Sequence, residues 1–249
     1  MMEATETTEL GHGLEYAEGG LIHYEWLADA FAGALRAATS QPGSKGRVIE
    51  HGAGTGILSR LLLERGIGPM ALTEPDPKLV GILRPMFAGR SDVEVVHATL
   101  EEYLEGTGPG CADAVVSSNV LEHVVDDEAC LGAMWNLLRP GGTLALYVPA
   151  RPELYGDFDR RVGHQRRYRR RELRAKVERA GFETTTLTYR NIVAAVGWLM
   201  LGRFFKNKGV ANKSVWLHDH LVFPISRYVE DRVPLPYGLN LLCIAHKQG

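Results

Sequence analysis

A short segment with one acid and three spaced glycines is the part of this chain best suited to binding a ligand. Residues 48–59 read as a buried strand, a glycine-rich turn and the start of a helix. Glycines occupy positions 52, 54 and 56, and Glu50 lies two residues before the first of them. A glycine turn at the start of a helix lets a ligand approach the backbone closely. Because Glu50 would repel a pyrophosphate, the segment favours a ligand that carries a positive group.

The glycine spacing also argues against a dinucleotide. The dinucleotide fingerprint G-x-G-x-x-G needs its third glycine at position 57, which is Ile57 in this chain. Two enzyme classes could use such a turn. A nucleotide-dependent oxidoreductase is less favoured than an enzyme whose cofactor carries a positive group. A non-catalytic binding or regulatory subunit is the third class that the pattern leaves open.

A second acid, Glu74, follows the next predicted strand. A carboxylate at this place can accept hydrogen bonds from two ribose hydroxyls. The alternative is an acid that caps the following helix, but Asp76 ahead of Pro77 fits the capping position better. The pair of acids therefore predicts a ligand with both a positive group and a ribose.

The elements that would position these residues alternate along the chain. Strands are predicted at 47–50, 70–73, 93–97, 112–117, 143–148, 183–189 and 241–246, and helices at 14–40, 57–65, 77–86, 101–104, 127–138 and 170–180. Such alternation predicts a mostly parallel sheet with helices on both faces. Two long segments interrupt it: a connection at 149–169, and an insertion at 191–238 with predicted helices at 192–206 and 215–230. Loops of this length usually carry function.

Composition sets bounds on the class of protein. The chain has 249 residues, of which 45% are hydrophobic and 23% charged, and this composition is typical of a soluble globular protein. A formal net charge of -2 provides no electrostatic argument for nucleic acid. Three cysteines without a C-x-x-C pair predict a reduced, cytoplasmic compartment. The apolar run at 192–201 is shorter than the roughly 20 residues of a membrane span, so no integral membrane segment is expected.

Two further segments establish a family resemblance. They are D-A-V-V-S-S-N-V-L-E-H-V at 113–124 and L-L-R-P-G-G-T-L at 137–144, which follow the acid and glycine motif E-x-G-x-G-x-G in order. Together they resemble class I S-adenosylmethionine (SAM) methyltransferases of the UbiG-like or "methyltransferase type 11" group. The resemblance implies an α/β, Rossmann-like, doubly wound sheet of seven mostly parallel strands with an antiparallel last strand, N-terminal helices and a helical insertion before that strand. Residues 1–40 would be an N-terminal helical lid and 41–249 the methyltransferase domain, with 191–238 on the acceptor side.

The resemblance implies contacts with SAM, whose product would be S-adenosylhomocysteine. The glycine turn would hold the methionine part, the acid after the second strand the ribose, and the segment after the fourth strand would flank the sulfonium. Relatives commonly carry an acid after the third strand that bonds adenine, whereas this chain has Ala98 there. The predicted cofactor-binding residues are Glu50, Gly52, Ala53, Gly54, Glu74, Pro75, Thr99, Leu100, Asn119 and Val120.

The acceptor side is predicted from histidines, arginines and tyrosines. Methyl transfer needs a base only if the nucleophile starts protonated, and no metal site is expected. His123 and His164 are the candidate bases, with a structural role as the alternative for each. The predicted acceptor-binding residues are Tyr16, Tyr24, Arg166, Arg167 and Tyr168; core packing and a solvated basic face are the alternatives.

The predicted function is therefore methyl transfer from SAM to a small-molecule acceptor at oxygen or nitrogen, with an anionic acceptor group as one option. Lipid-linked or protein acceptors stay open as alternatives, as does a non-catalytic regulatory subunit. A homodimer is also left open, and the identity of the acceptor atom is not predicted.

Overall fold

A computed structural model describes residues 21–192 and 236–248 of this chain. Its strands are β1 Val48–His51, β2 Met70–Glu74, β3 Val93–His97, β4 Ala112–Ser118, β5 Leu138–Pro149, β6 Phe182–Arg190 and β7 Asn240–Lys247. Its helices are α1 Leu21–Thr39, α2 Ile57–Glu64, α3 Pro77–Met86, α4 Leu100–Thr107, α5 Asp127–Leu137, α6 Asp157–Arg161 and α7 Arg170–Arg179, with a 3₁₀ turn at Pro152–Leu154.

The seven strands form one sheet in the order β3-β2-β1-β4-β5-β7-β6. Neighbours from β3 to β5 pair in parallel, while β7 runs antiparallel to both β5 and β6. The predicted fold class, a seven-stranded and mostly parallel sheet with an antiparallel last strand, is confirmed. The carboxyl ends of β1, β2 and β4 meet at one edge of this sheet, which is where ligands bind in doubly wound folds.

Each face of the sheet has its own hydrophobic core. Val48 and Tyr147 pack with α1 and α2 on one face, whereas Ile49 and Val148 pack with α5 and α7 on the other. Because successive side chains of a strand point to opposite faces, Glu50 lies on the same face as Val48. The acid of the glycine motif and the first helix therefore share one side of the sheet.

Side-chain caps determine where the helices after β2 and β3 begin. The Asp76 side chain accepts a hydrogen bond of 2.8 Å from the Lys78 amide at the start of α3. Thr99 and Glu102 form a reciprocal capping box at the start of α4. The capping role predicted for Asp76 is confirmed, and Glu74 is thereby left to the ligand edge.

Two local predictions were wrong. The strand predicted to begin at 143 begins at Leu138 and runs through Pro140-Gly141-Gly142. Leu138 already pairs with Ala112, and a register shift between Ala112 and Ala114 accommodates the extra residues before Thr143. The helical piece predicted at 101–104 extends over the whole of α4. In the connection at 149–169, the 3₁₀ turn and α6 were not predicted, since elements this short carry no hydrophobic period.

The insertion helices predicted at 192–206 and 215–230 fall almost entirely outside the described residues, as does the start of the predicted N-terminal helix. Within 21–192 and 236–248, no helix combines the length and apolar character that crossing a membrane requires.

Candidate active site

The glycine turn folds over the end of β2. The amides of Gly52 and Ala53 both donate to the Thr73 carbonyl, at 2.9 and 3.1 Å. The Thr73 hydroxyl in turn donates to the Glu50 carbonyl at 3.1 Å. These bonds hold the turn at the carboxyl edge of the sheet, between β1 and β2.

The first two glycines of the motif have different reasons for being glycine. Both have positive φ, at 68° for Gly52 and 58° for Gly54. A Cβ on Gly52 would lie 2.5 Å from a methyl of Val120, whereas a Cβ on Gly54 would meet nothing within 4 Å. The turn therefore packs on the segment after β4 at Gly52 and faces open space at Gly54. That open space is where a ligand can approach the backbone.

Glu50 is a buried acid with one hydroxyl partner. Its Oε2 accepts a bond of 2.6 Å from the hydroxyl of Ser59 in α2, and the side chain is almost fully buried. Burial raises the pKa of Glu50 to about 8, with the Ser59 bond opposing the shift and the charge of Glu74 adding to it. Ser59 was not predicted; its sequence signal is a polar residue on an otherwise apolar helix face.

Glu74 ties the glycine turn to the end of β2. Its Oε2 accepts from the Gly54 amide at 2.9 Å and its Oε1 from the Asp76 amide at 3.0 Å. A carboxylate has about four lone-pair sites, so each oxygen can still accept a hydroxyl from a ligand. Two acids beside an open glycine turn suit a ligand that is cationic at one end and carries hydroxyls.

The predicted adenine side is built from the end of β3 and the start of α4. The Thr99 hydroxyl oxygen accepts from the Glu102 amide at 3.2 Å, and Leu100 is fully buried in the core. His97 Nε2 lies 3.1 Å from the Pro75 carbonyl oxygen, a spacing that suits donation by the ring. Their adenine contacts remain predictions; His97, which was not predicted, links the end of β3 to the residue that follows β2.

The segment after β4 connects the glycine turn to β5. Asn119 has φ 52°, a conformation that asparagine tolerates, and its amide donates to the Tyr147 carbonyl at 2.8 Å. Val120 then fills the space beside Gly52. Both residues stand where the resemblance places the sulfonium, and that contact remains a prediction.

The first turns of α1 lie over the same edge. The ring of His23 lies 5.3 Å from that of Tyr147, and Trp26 lies 6.0 Å from it. The pKa of Tyr24 is raised by burial and by the negative charge of Glu50, because the phenol lies near that carboxyl. Tyr24 therefore borders the acid of the glycine motif, whereas Tyr16 lies outside the described residues.

The two predicted histidines meet. The rings of His123 and His164 lie 4.7 Å apart at 83° to each other. His164 Nδ1 bonds Oδ1 of Asp159 at 2.8 Å, and its Nε2 lies 3.7 Å from the Glu122 carboxyl. Asp159 and Glu122 were not predicted. The potential ligand atoms of Glu122, His123 and His164 lie within 4.8 Å of one another, a spacing that is also compatible with a shared cation.

The predicted acceptor-binding run points mostly into the protein. Arg167 is 6% exposed and its Nε donates to Asp159 at 2.7 Å. Tyr168 is fully buried and its hydroxyl donates to Asp127 at 2.9 Å. Arg166 also contacts Asp127, at 2.9 Å. The Arg166 and Tyr168 contacts join the connection after β5 to the start of α5, whereas the Arg167 contact lies within the connection. A role in binding the acceptor remains a prediction for all three.

Comparison with known proteins identifies the family. A family model described as "Methyltransferase domain" matches residues 24–187. The ubiquinone biosynthesis O-methyltransferase of Xanthomonas campestris is 37% identical to this chain over 113 residues, which are 45% of this chain and 46% of that protein. The chain thus spans about half the length of the curated relatives that it matches.

Solved structures share the fold. A SAM-dependent methyltransferase from Archaeoglobus fulgidus superposes with a TM-score of 0.56 at 17% identity, covering 88% of this chain and 94% of that one. The phosphoethanolamine N-methyltransferase 2 of Haemonchus contortus, in complex with SAM, gives 0.58 at 14% identity, covering 92% and 57%. With the glycine motif, its two acids and the sheet order, these matches lead to one conclusion: the chain belongs to the class I SAM-dependent methyltransferases.

Proposed function

We propose that this chain transfers the methyl group of SAM to a small-molecule acceptor, at oxygen or nitrogen. The observation that carries the proposal is the placement of Glu50 and Glu74 around the open glycine turn. SAM carries an ammonium on its methionine part, and its sulfonium joins that part to a ribose that bears adenine. An acid beside the methionine part and another beside the ribose suit this cofactor, whereas Glu50 would repel the pyrophosphate of a dinucleotide.

The cofactor would lie along the carboxyl edge from β1 to β3. Glu50 and the amides of the glycine turn would hold its methionine part, and Glu74 with Pro75 its ribose. Thr99 and Leu100 would border adenine. Asn119 and Val120 would lie beside the sulfonium, which places the methyl group near the segment that leads to His123.

The transfer itself is an in-line displacement at the methyl carbon. The carbon–sulfur bond breaks as the bond to the acceptor forms, and the leaving group is neutral. The protein must align the two partners, and such alignment can supply about 7–11 kcal/mol of the barrier. An acceptor that starts as a hydroxyl or an ammonium must also lose a proton, and we assign His164, with His123 beside it, to that step.

The name of the Xanthomonas relative supports a hydroxyl acceptor, since that protein is an O-methyltransferase. The first turns of α1 and the connection at 149–169 border the space in which the acceptor would lie, with residues 1–40 acting as a lid. A protein or lipid-linked acceptor, or a regulatory role without catalysis, are the competing proposals. The intact acids at 50 and 74 favour catalysis over regulation.

The Glu74→Ala variant tests the cofactor assignment. Charge-assisted hydrogen bonds contribute about 1.5–3 kcal/mol each, so loss of the ribose contact should weaken binding of S-adenosylhomocysteine at least about tenfold in calorimetry. Asp76→Ala is the matched control, because it removes a neighbouring helix cap and leaves the ribose acid. Binding of NAD by the wild-type protein in place of S-adenosylhomocysteine would contradict the assignment.

A SAM-dependent screen tests the reaction. Hydroxyl, amine and phosphorylated small molecules would be incubated with SAM, and mass spectrometry would detect a gain of one methylene together with S-adenosylhomocysteine. Turnover of one class identifies the acceptor atom. Binding of the cofactor without transfer to any class would favour the regulatory reading.

Cofactor affinity should depend on pH through Glu50. Its pKa is about 8 in the free protein, so below that pH the cofactor ammonium must displace a proton from the carboxyl. Affinity for S-adenosylhomocysteine should therefore rise between pH 6 and pH 8 by up to about tenfold per unit and then level off. The Glu50→Gln variant should bind more weakly and lose this slope. A wild-type affinity that is constant over the same range would place the ammonium elsewhere.

A further inference from the structure

Glu122 is a buried acid that does not serve stability. Its side chain is fully buried, and within the described residues neither carboxyl oxygen has a hydrogen-bond partner. Buried polar groups are normally paired, so an unpaired carboxyl calls for a functional explanation. Burial raises the pKa of Glu122 to about 8. The negative charge of Asp159 also raises this pKa, whereas the positive charge of Arg167 lowers it. A residue that destabilises the fold is typical of a functional site.

The group that faces Glu122 is the imidazole of His164. His164 Nε2 lies 3.7 Å from Glu122 Oε1, and the Gln165 amide donates to the Glu122 carbonyl at 2.8 Å. The charged and titratable groups around the pair are Asp159 of α6, His123 on the same turn as Glu122, and Arg167 and Tyr168 of the connection after β5; the negative charge of Glu122 contributes to the raised pKa of the Tyr168 phenol. Two acids thus flank one imidazole, with a single arginine beside them.

Asp159 determines which nitrogen of His164 carries the proton. Its carboxylate accepts from the Gly156 amide at 2.9 Å, from Arg167 Nε at 2.7 Å and from His164 Nδ1 at 2.8 Å. Although burial opposes ionisation, these bonds hold the pKa of Asp159 below its ordinary value. A carboxylate can only accept, so Nδ1 carries the hydrogen and Nε2 presents its lone pair toward Glu122.

The pair lies beside the proposed methyl position. Glu122 follows Val120 by two residues, and Val120 packs against Gly52 of the cofactor turn. His123 is exposed, and its ring contacts that of His164. An acceptor above Asn119 and Val120 would therefore reach the cluster from its open side, at His123.

We propose that Asp159 and Glu122 are positioning residues that make His164 the proton acceptor of the methyl transfer. The inference rests on the proposed function. The acceptor's bond to hydrogen breaks as its bond to the methyl carbon forms, and the proton moves to Nε2 of His164. Asp159 holds the imidazole in the required tautomer, and above about pH 8, where Glu122 is ionised, the Glu122 carboxylate supplies the counter-charge for the imidazolium. The proton then leaves to solvent, so that each turnover releases one methylated product, one S-adenosylhomocysteine and one proton.

Imidazole NMR on the full chain without cofactor tests the pair directly. In protein labelled with ¹⁵N-histidine, the His164 signal, assigned by its loss in His164→Ala, should show the Nδ1–H tautomer. Asp159→Asn should lower the pKa of His164 by about one unit or more, because a neighbouring negative charge is lost. Glu122→Gln should leave this pKa unchanged, because Glu122 is protonated where His164 titrates, and should remove a second titration step of the His164 signal near pH 8. The control is Asp157→Asn, which removes an exposed acid from the helix that holds Asp159. It should change neither the His164 pKa nor the titration step near pH 8.

Thermal unfolding separates this role from a structural one. The pKa of Glu122 is raised above its ordinary value of 4.5, so folding favours the protonated acid, and its stabilising effect is lost as pH rises from 4.5 to 8. Glu122→Gln should therefore lose less stability than wild type between pH 5 and pH 8, and should unfold at a higher temperature at pH 8. Glu128→Gln is the matched control on the neighbouring helix. A lower unfolding temperature at pH 8 for Glu122→Gln would mark Glu122 as structural and overturn the proposal.

Kinetics and added metal complete the test. With the acceptor found by the screen, Asp159→Asn should lower kcat at least about tenfold and shift the acid limb of the kcat profile downward in pH. Glu122→Gln should lower kcat chiefly above pH 8, and both variants should leave the Kd for S-adenosylhomocysteine unchanged. An unchanged His164 pKa in Asp159→Asn, or a titration step near pH 8 that persists in Glu122→Gln, would overturn the inference. So would a shift of the His164 signal on adding Mg²⁺ or Zn²⁺ with loss of turnover in EDTA, which would reveal a cation site. Failure of S-adenosylhomocysteine to bind would instead refute the proposed function, and the NMR result would stand independently.

Discussion

Replacing Gly52 with alanine is expected to weaken cofactor binding by about 100-fold or more. The residue has φ 68°, where an L-residue costs about 1–2 kcal/mol. The added Cβ would lie 2.5 Å from Val120 Cγ2, and overpacking of this kind costs about 1–3 kcal/mol. Relief requires the turn to move away from β4, which displaces the amides and Glu50 together. A combined cost near 3 kcal/mol corresponds to about 100-fold in affinity, measurable by calorimetry with S-adenosylhomocysteine.

Two variants separate the sources of this loss. Gly66→Ala has a similar φ of 73° and no atom within 4 Å of the added Cβ, so it measures backbone strain alone and should leave affinity unchanged. Adding Val120→Ala to Gly52→Ala removes the clash and should recover part of the binding. Wild-type affinity in the single Gly52→Ala variant would show that the cofactor does not contact this turn.

Replacing His164 with alanine is expected to lower turnover by about 10²- to 10⁴-fold, which is the usual contribution of a general base. The reason is the loss of the one imidazole nitrogen that the Asp159 contact leaves unprotonated. Cofactor affinity should stay within about twofold of wild type, because no contact joins His164 to the glycine turn in the described structure. The measurement is S-adenosylhomocysteine release with the acceptor found by the screen.

His246→Ala is the matched control for this variant. That histidine contacts Thr143 across β5 and β7, at the opposite edge of the sheet, and its loss should leave turnover unchanged. His123→Ala should have a smaller effect than His164→Ala, since His123 has no carboxylate bonded to its ring among the described residues. Full turnover in His164→Ala would make the residue an anchor of the connection after β5.

The places of the proposed cofactor-binding residues in the fold could be predicted from sequence to a large extent, and their contacts with the cofactor stay predictions. These residues are adjacent in the chain or follow strands at regular spacing, so local patterns carry the information. The glycine turn follows a four-residue buried strand, and Glu74 follows the next one. The alternation of strands and helices then determines that these ends meet at one edge.

The acceptor half was predicted less completely, because its contacts join distant parts of the chain. The sequence indicates that residues 163–168 are polar and aromatic, but it does not indicate direction. In the structure both side chains of Arg167 and Tyr168 point inward. Arg167 neutralises the buried acid Asp159, and the Tyr168 hydroxyl donates a hydrogen bond to the buried acid Asp127. Glu122 and Asp159 have no local signal, since their importance comes from what lies opposite them.

The sequence alone therefore determined the order of the elements, the glycine turn and the positions of Glu50 and Glu74 after the first two strands, since these follow from backbone conformation, hydrophobic period and spacing. Only the tertiary structure decided that Val120 closes on Gly52, that α1 covers the edge beside Glu50, and that two acids flank His164. Each of those contacts depends on side chains brought together by the packing of separate elements against the sheet. No pattern within a single segment encodes such a meeting, because its energy arises only when both partners are buried together.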